Sequence, residues 1–450
     1  MRPLQLLLPI LLAFTIPQAF AQGALQVLHT FLENEGGPPS GPLTELKPGT
    51  FVGVTHGQIE ENGQSVRPSG LYVVTSGGQF RTLTTFNPLI NGQSAYGPLL
   101  AASDGYLYGV SVGSANAPAT VFRSDRQGNL STVLSGQAIF SPLVEGSDVK
   151  LYAMRSIART QSQFVRITPP SSYTPLGALS MTNTRLVDPL VSVGDGNYYV
   201  AARDNSLNGG IFRFTSMGML NPVVGIQGLN GGLMQSLGGA LFGSATDAQQ
   251  TSFIFRVGTD GVPSGVHAFP TYELPSTLIQ ASDGKLYGIA VGEGSASIIY
   301  SMAPNGSNYQ VISNFEQGLL TGIRVSPLVQ GSDGRLYGVL VSNTAAPFGQ
   351  VFSVNLGLPR PQPTITRVYP SQGAVGATVA IRGSYLLEPQ SVKFNGTSAT
   401  QFRGVSGAHI YVVVPAGATT GPVTVTNANG TATSTTDFIV TAGLDLAPME

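Results

Sequence analysis

The chain has 450 residues with 22 Lys or Arg against 23 Asp or Glu, a charged fraction of 10% where roughly 25% is usual, and a net charge of −1. Without a basic stretch it is a poor partner for nucleic acid, and without cysteine it has no disulfide framework, thiol nucleophile or Cys-ligated metal. Hydrophobic residues at 42% are ample for a core, and 57 Gly with 31 Pro stay below the share that accompanies disorder.

Residues 1–21 read as a signal peptide. Arg2 supplies the positive start, residues 4–14 an apolar run, and Ala19-Phe20-Ala21 a small-x-small cleavage site. The mature protein is therefore expected outside the cytoplasm, extracellular or periplasmic, after cleavage behind Ala21. No later stretch approaches the ~18 uninterrupted apolar residues of a membrane span.

From residue 41 onward one phrase recurs: a Pro-Leu strand, a tight turn, then Leu-Tyr-Gly. Its clearest copies are Ser103-Asp104-Gly105-Tyr106-Leu107-Tyr108-Gly109, Ser282-Asp283-Gly284-Lys285-Leu286-Tyr287-Gly288 and Ser332-Asp333-Gly334-Arg335-Leu336-Tyr337-Gly338. Tyr152, Tyr199 and Phe242 hold the aromatic position in eroded copies, and Phe51-Val52-Gly53 marks a seventh. The period is about 45 residues. Each unit continues with a Val-Phe-Arg-like strand (Val121-Phe122-Arg123, Ile211-Phe212-Arg213, Ile254-Phe255-Arg256, Val351-Phe352-Ser353), a short Gly turn and a last strand. Period-two apolar runs joined by Asp-Gly and Asn-Gly turns are hairpin chemistry. Four short strands per unit, seven times over, predict a seven-bladed β-propeller across residues 22–357. The seventh unit lacks its last strand, and Leu25-Gln26-Val27-Leu28-His29-Thr30-Phe31 is a spare one that would close the ring.

The Asp-Gly-x-Leu-Tyr-Gly phrase followed by a Val-Phe strand resembles the Gloeo/Verruco (GloVer) tandem-repeat family of bacterial surface proteins, over about residues 41–356. That resemblance implies secretion and a propeller-like fold, and no established chemistry.

Residues 358–363, Leu-Pro-Arg-Pro-Gln-Pro, form a Pro-rich linker. Beyond it, Val368-Tyr369-Pro370-Ser371-Gln372-Gly373, Val379-Ala380-Ile381-Arg382-Gly383, Val392-Lys393-Phe394-Asn395-Gly396 and Gly421-Pro422-Val423-Thr424-Val425 follow in order. This pattern resembles an IPT/TIG immunoglobulin-like domain over 363–440, which implies a β-sandwich acting as a spacer or protein-contact module. The domain is set at 364–440, with a tail at 441–450.

Asp104, Asp195, Asp283 and Asp333 sit before Gly, where a hairpin turn wants them, and Tyr108, Tyr152, Tyr287 and Tyr337 recur as packing residues between blades. The four histidines (His29, His56, His267, His409) stand singly, so no metal or other cofactor is expected. There is neither a nucleophile elbow nor a phosphate loop. First-to-second and third-to-fourth strand turns are short and share one face. The opposite face carries longer, varied loops at 56–69, 87–97, 155–163, 181–188 and 203–209, and variable loops on a rigid scaffold are where ligands bind. The candidate contact residues are Glu60, Arg67, Tyr96, Arg155, Arg203, Asp204 and Glu273, with Glu61 and Arg159 beside them. The sequence reads as an all-β chain, a seven-bladed β-propeller followed by an immunoglobulin-like β-sandwich. It is expected to be a monomeric, non-catalytic binding or adhesion protein of a bacterial envelope, contacting an extracellular glycan or surface protein. The alternatives are a spacer without ligand, or a polysaccharide hydrolase or lyase using carboxylates at the channel mouth.

Overall fold

The computed structural model describes residues 24–442 apart from 33–34, 60–64, 115–117, 138, 140, 159–160, 181–184, 187–189, 193–195, 271–272, 277, 293–296, 316–323 and 342–348. Residues 1–23, with the signal-peptide reading, and 443–450 lie outside this range. Seven sheets follow one another along the chain, each ordered first to fourth strand. Blade 1 is Pro39–Lys47, Thr50–Thr55, Gly70–Thr75 and Phe80–Thr85. Blade 2 is Ser94–Ala101, Leu107–Val112, Thr120–Ser124 and Leu130–Ser135. Blade 3 starts at Val144–Glu145, blade 4 at Arg185–Leu186, blade 5 at Leu229–Gln235, blade 6 at Glu273–Pro275 and blade 7 at Arg324–Val325. First strands of neighbouring blades touch, so they line the axis; at Gly41 a Cβ would lie 2.6 Å from the Gly97 backbone. The only described helix is the four-residue Pro88–Asn91, on the way from blade 1 to blade 2.

The ring closes as the spare strand predicts. Ala24–Thr30 pairs antiparallel with Gly349–Asn355, from Ala24 opposite Asn355 to Thr30 opposite Gln350. In blades 1 to 6 the third-to-fourth pairing slips once, beside the ring-bearing third-strand position in most of them (Val121/Phe122, Ile254/Phe255, Ile299/Tyr300). The closing strand repeats the slip between Val27 and His29, so it is a true fourth strand with the same bulge.

The repeated residues each have a physical task. The leucines of the Pro-Leu position, Leu43, Leu99, Leu143, Leu190, Leu233, Leu278 and Leu328, of which Leu233 and Leu278 follow Gly and Thr instead of Pro, are all buried, each worth about 1.5–3 kcal/mol of burial. The turn aspartates do more than shape a turn. Oδ1 of Asp104, Asp148, Asp283 and Asp333 accepts the N–H two residues on, while Oδ2 accepts the hydroxyl of Tyr108, Tyr152, Tyr287 or Tyr337 at 2.6–2.9 Å. The positive φ falls on Gly105, Gly284 and Gly334 and not on the aspartates, as turn propensity alone would have allowed. The glycine after the tyrosine makes room for a ring, but it is the third-strand ring of its own sheet: a Cβ on Gly338 would run into Cζ of Phe352.

Blade 3 departs inside the turn as well as at Ala153, which replaces the glycine after the tyrosine. Val149, 40% exposed, takes the glycine's place at φ 58°, a conformation that a β-branched residue adopts only under strain. Val149→Gly is expected to stabilise the protein by about 1 kcal/mol, read as a rise in melting temperature, and a fall would contradict this account.

The C-terminal sandwich pairs Thr364–Tyr369, Thr378–Ser384, His409–Val413 and Phe402–Ser406 in one sheet and Thr397–Ser398, Ser391–Phe394, Val423–Asn427 and Gly430–Thr433 in the other. Its core includes Ile381, Val392, Phe394, Ile410, Val425 and Phe438.

Candidate functional site

On the long-loop face, two of the predicted contact residues meet in the seam between blades 2 and 3. Tyr96, in the first strand of blade 2, donates its hydroxyl to the Ile139 carbonyl at 2.7 Å. Arg155, in the second strand of blade 3, donates Nη1 to Gln137 Oε1 at 2.7 Å and to the Tyr173 hydroxyl, and its guanidinium lies 5.0 Å from the Tyr173 ring centre. The loop joining the two blades thus binds both side chains, one through its backbone and one through Gln137. Arg155 Nε is buried with no hydrogen-bond partner among the described residues, an expensive state for a charged donor. Burial pushes the Tyr96 phenol well above its ordinary range, so it stays a neutral donor.

The other predicted residues are dispersed. Arg67 ends the small hairpin of Gln58–Ile59 with Ser65–Arg67 in blade 1. Arg203 ends the second strand of blade 4, Asn197–Arg203, and the next residue, Asp204, spends its carboxylate on its own turn, accepting Asn208 N at 2.9 Å and Nδ2 at 3.2 Å. Glu60, Glu61, Arg159 and the side chain of Glu273 lie outside the described residues. Asp247 likewise caps its turn through Thr251 N, and Glu35 meets His29 Nε2 at 2.9 Å. The remaining described acids of this face are therefore engaged locally. Of the imidazoles, His29 stacks on Phe80 at 3.6 Å and His267 on Tyr309 at 4.1 Å.

The opposite, short-turn face holds a constellation that lies outside the predicted contact residues. In blades 1, 3, 6 and 7 the latch to the preceding blade is the residue near the end of the first strand that pairs with Phe51, Leu151, Leu286 or Leu336. In blades 6 and 7 it is Gln280, accepting Leu237 N, and Gln330, accepting Ser282 N, at 2.7 and 2.9 Å. In blades 1 and 3 it is a carboxylate: Glu45 accepts Ser332 N and Oγ, and Glu145 accepts Ser103 N and Oγ. Glu145 also faces the immunoglobulin-like domain, with Arg382 Nη2 and His409 Nε2 each 3.3 Å away. Glu145 is only 4% exposed, Arg382 11% and His409 7%. Arg382 further donates to the Gly146 carbonyl, Arg126 donates to Val405 O, and Asn429 donates to Ser332 O at 2.7 Å. Despite its Pro-rich connection, the sandwich is docked on the short-turn face over blades 7, 1, 2 and 3. Burial pushes the Glu145 carboxyl up, against the Ser103 hydrogen bonds and the Arg382 charge, which lower it. Burial, then the Arg382 charge, pushes the His409 imidazole down to about 4. A carboxylate where three sister blades carry glutamine (Gln235, Gln280 and Gln330) was the one signal available in sequence.

Residues 363–440 match the IPT/TIG domain. No curated protein matches the chain. Among solved structures, the chain is similar to virginiamycin B lyase from Staphylococcus aureus (14% identity, 74% of this chain and 99% of that one, TM-score 0.52). It is also similar to an ulvan lyase of polysaccharide lyase family PL25 (8%, 72% and 95%, TM-score 0.54). A fungal alcohol oxidase of the AA5 family, in complex with copper, covers 93% of this chain and 99% of its own at 12% identity and TM-score 0.51. At such identities the likeness speaks to fold alone.

Proposed function

We propose that the chain is a secreted, non-catalytic binding or adhesion protein of a bacterial envelope, holding a glycan or a surface protein on the long-loop face of its propeller. The observation that carries this reading is where the immunoglobulin-like domain sits. It covers much of the short-turn face, so the face left open across all seven blades is the one with long and varied loops. On that face Tyr96 and Arg155 converge on one loop, and Arg155 keeps a buried donor in want of an acceptor. The resemblance of the repeat to GloVer surface proteins and the signal peptide at residues 1–21 agree with export.

A hydrolase would need two converging carboxylates, and a lyase a carboxylate beside an Arg or Tyr, at the channel mouth. The described acids of this face, Glu35, Asp204 and Asp247, are each held by a neighbour or by their own turn.

The full chain and Arg155→Ala should be compared on a glycan array and a panel of envelope proteins. The expected result is a ligand whose binding falls at least about tenfold in the variant, in line with loss of charged hydrogen bonds, while the variant keeps a cooperative melt. Release of product from any polysaccharide, or silence across both screens, would refute the reading.

A further inference from the structure

One seam between blades is built differently. Where blades 2, 3, 6 and 7 bury Tyr108, Tyr152, Tyr287 and Tyr337, blade 4 has Tyr199, opposite Arg213 just as Tyr108 is opposite Arg123, but only half-buried. Between blades 4 and 5, on the short-turn face and beside the sector covered by the immunoglobulin-like domain, a cleft of about 450 Å³ opens. Its lining combines Tyr199, Arg213, Asn221, Gln235 and Asp260 with apolar Val257. The turns around it expose Leu237 and Val262, 80% and 59% accessible.

The repeat supplies an internal reference for the arginine. In blade 2, Arg123 donates Nε across the strand pair to Ser131 Oγ at 3.1 Å, and its guanidinium sits 4.4 Å from the Tyr106 ring centre. In blade 4, Asn221 stands in the place of Ser131 and Asn197 in that of Tyr106. Arg213 Nε is buried there with no hydrogen-bond partner among the described residues. A guanidinium that lacks its cross-strand acceptor and lines an open cleft is best matched by a carboxylate. Asp260, which turns Oδ1 onto Val262 N at 3.1 Å, disfavours a bare inorganic anion and suits a hydroxyl donor. The Asn221 and Gln235 amides serve hydroxyls as well, and the Tyr199 ring offers a stacking surface.

We propose that this cleft binds a hexuronate, one sugar ring carrying one carboxylate, with the carboxylate on Arg213 and the ring hydroxyls on Asn221, Gln235 and Asp260. The test is calorimetric titration of the full chain with glucuronate, with glucose, which lacks the carboxylate, and with cyclohexanecarboxylate, which lacks the hydroxyls. Glucuronate should bind at least about tenfold more tightly than either control, and Arg213→Gln should weaken it on the order of 10- to 100-fold at unchanged melting temperature. Arg213→Lys, which keeps the charge and loses the Nε edge, is the second variant should the first fail to fold, and it should weaken binding too. Glucuronate binding that survives both substitutions, or is matched by cyclohexanecarboxylate or glucose, or is absent, overturns the proposal. Arg155→Ala lies on the other face and should leave this titration unchanged, so the two sites stand or fall separately.

Discussion

Glu145→Ala is expected to release the immunoglobulin-like domain from the propeller. The substitution leaves the Arg382 guanidinium and the His409 imidazole in a place built around a carboxylate 3.3 Å from each, and it removes the acceptor for Ser103 N and Oγ. Taking one member out of a buried ionic cluster typically costs about 3–5 kcal/mol, because the partner charge stays buried. The remaining described ties across the contact, such as Arg126 to Val405 O and Asn429 to Ser332 O, are a few hydrogen bonds of about 1 kcal/mol each. Small-angle scattering should therefore report a larger radius of gyration, and amide exchange should speed up in the turns around Ser103 and Gly146, with the β-sheet signal in circular dichroism retained. An unchanged radius and unchanged exchange would show that the cluster does not hold the contact.

Acid should act on the same contact through His409. Its folded value, about 4, lies below the 6.5 of the free side chain, so its contribution is complete above pH 6.5 and is lost as pH falls toward 4, about 3 kcal/mol in all. Glu145, pushed up by burial, works in the opposite sense: its contribution is complete below its unfolded value and declines as pH rises through its folded one. His409→Gln isolates the first effect, since only the wild type should lose the docked state progressively between pH 6.5 and 4 on the imidazole's account.

Deleting residues 24–31 should be more damaging still. The strand Ala24–Thr30 fills the last place in blade 7, and with it come Leu28 and Phe31, both buried among Leu43, Phe51, Tyr72 and Tyr337. Its loss leaves the Gly349–Asn355 edge unpaired and uncovers Phe80 beneath His29. Two buried side chains at about 1.5–3 kcal/mol each, with several ladder hydrogen bonds at about 1 kcal/mol, come to roughly 5–10 kcal/mol, as much as the whole stability of a typical domain. The truncated chain should be insoluble or lack a cooperative melt, and a synthetic peptide of residues 24–31 added in trans should restore one by strand addition. A truncated chain that melts like the full one would mean that the ring does not depend on this strand.

The propeller was legible because its defining residues do local work, repeated seven times. An aspartate that caps its own turn and holds the tyrosine four residues on leaves the same trace in four copies, and the buried leucine leaves one in all seven. The spare N-terminal strand was legible by subtraction. What a unit does to something outside itself left no such trace. Glu145 differs from Gln280 and Gln330 by a single group, and its partners Arg382 and His409 belong to a different domain with a different pattern. Nor does periodicity say which loop residues converge. Tyr96 and Arg155 meet because one connecting segment happens to bind both, whereas Asp204, chosen for its charge, is occupied by Asn208. Tyr199 was readable as a member of the aromatic series, but its incomplete burial depends on the side chains opposite, Arg213 and Asn221.

The register of the closing strand has one more consequence. Ala24 lies across from Asn355, where the third strand of blade 7 ends and the chain turns toward the sandwich. The ring is thus entered and left at a single corner, on the side where the sandwich is seated. A tether attached upstream of that corner, or to the sandwich itself, would work as a stalk beneath a dish, and the rim of long loops would point away from whatever surface bears it.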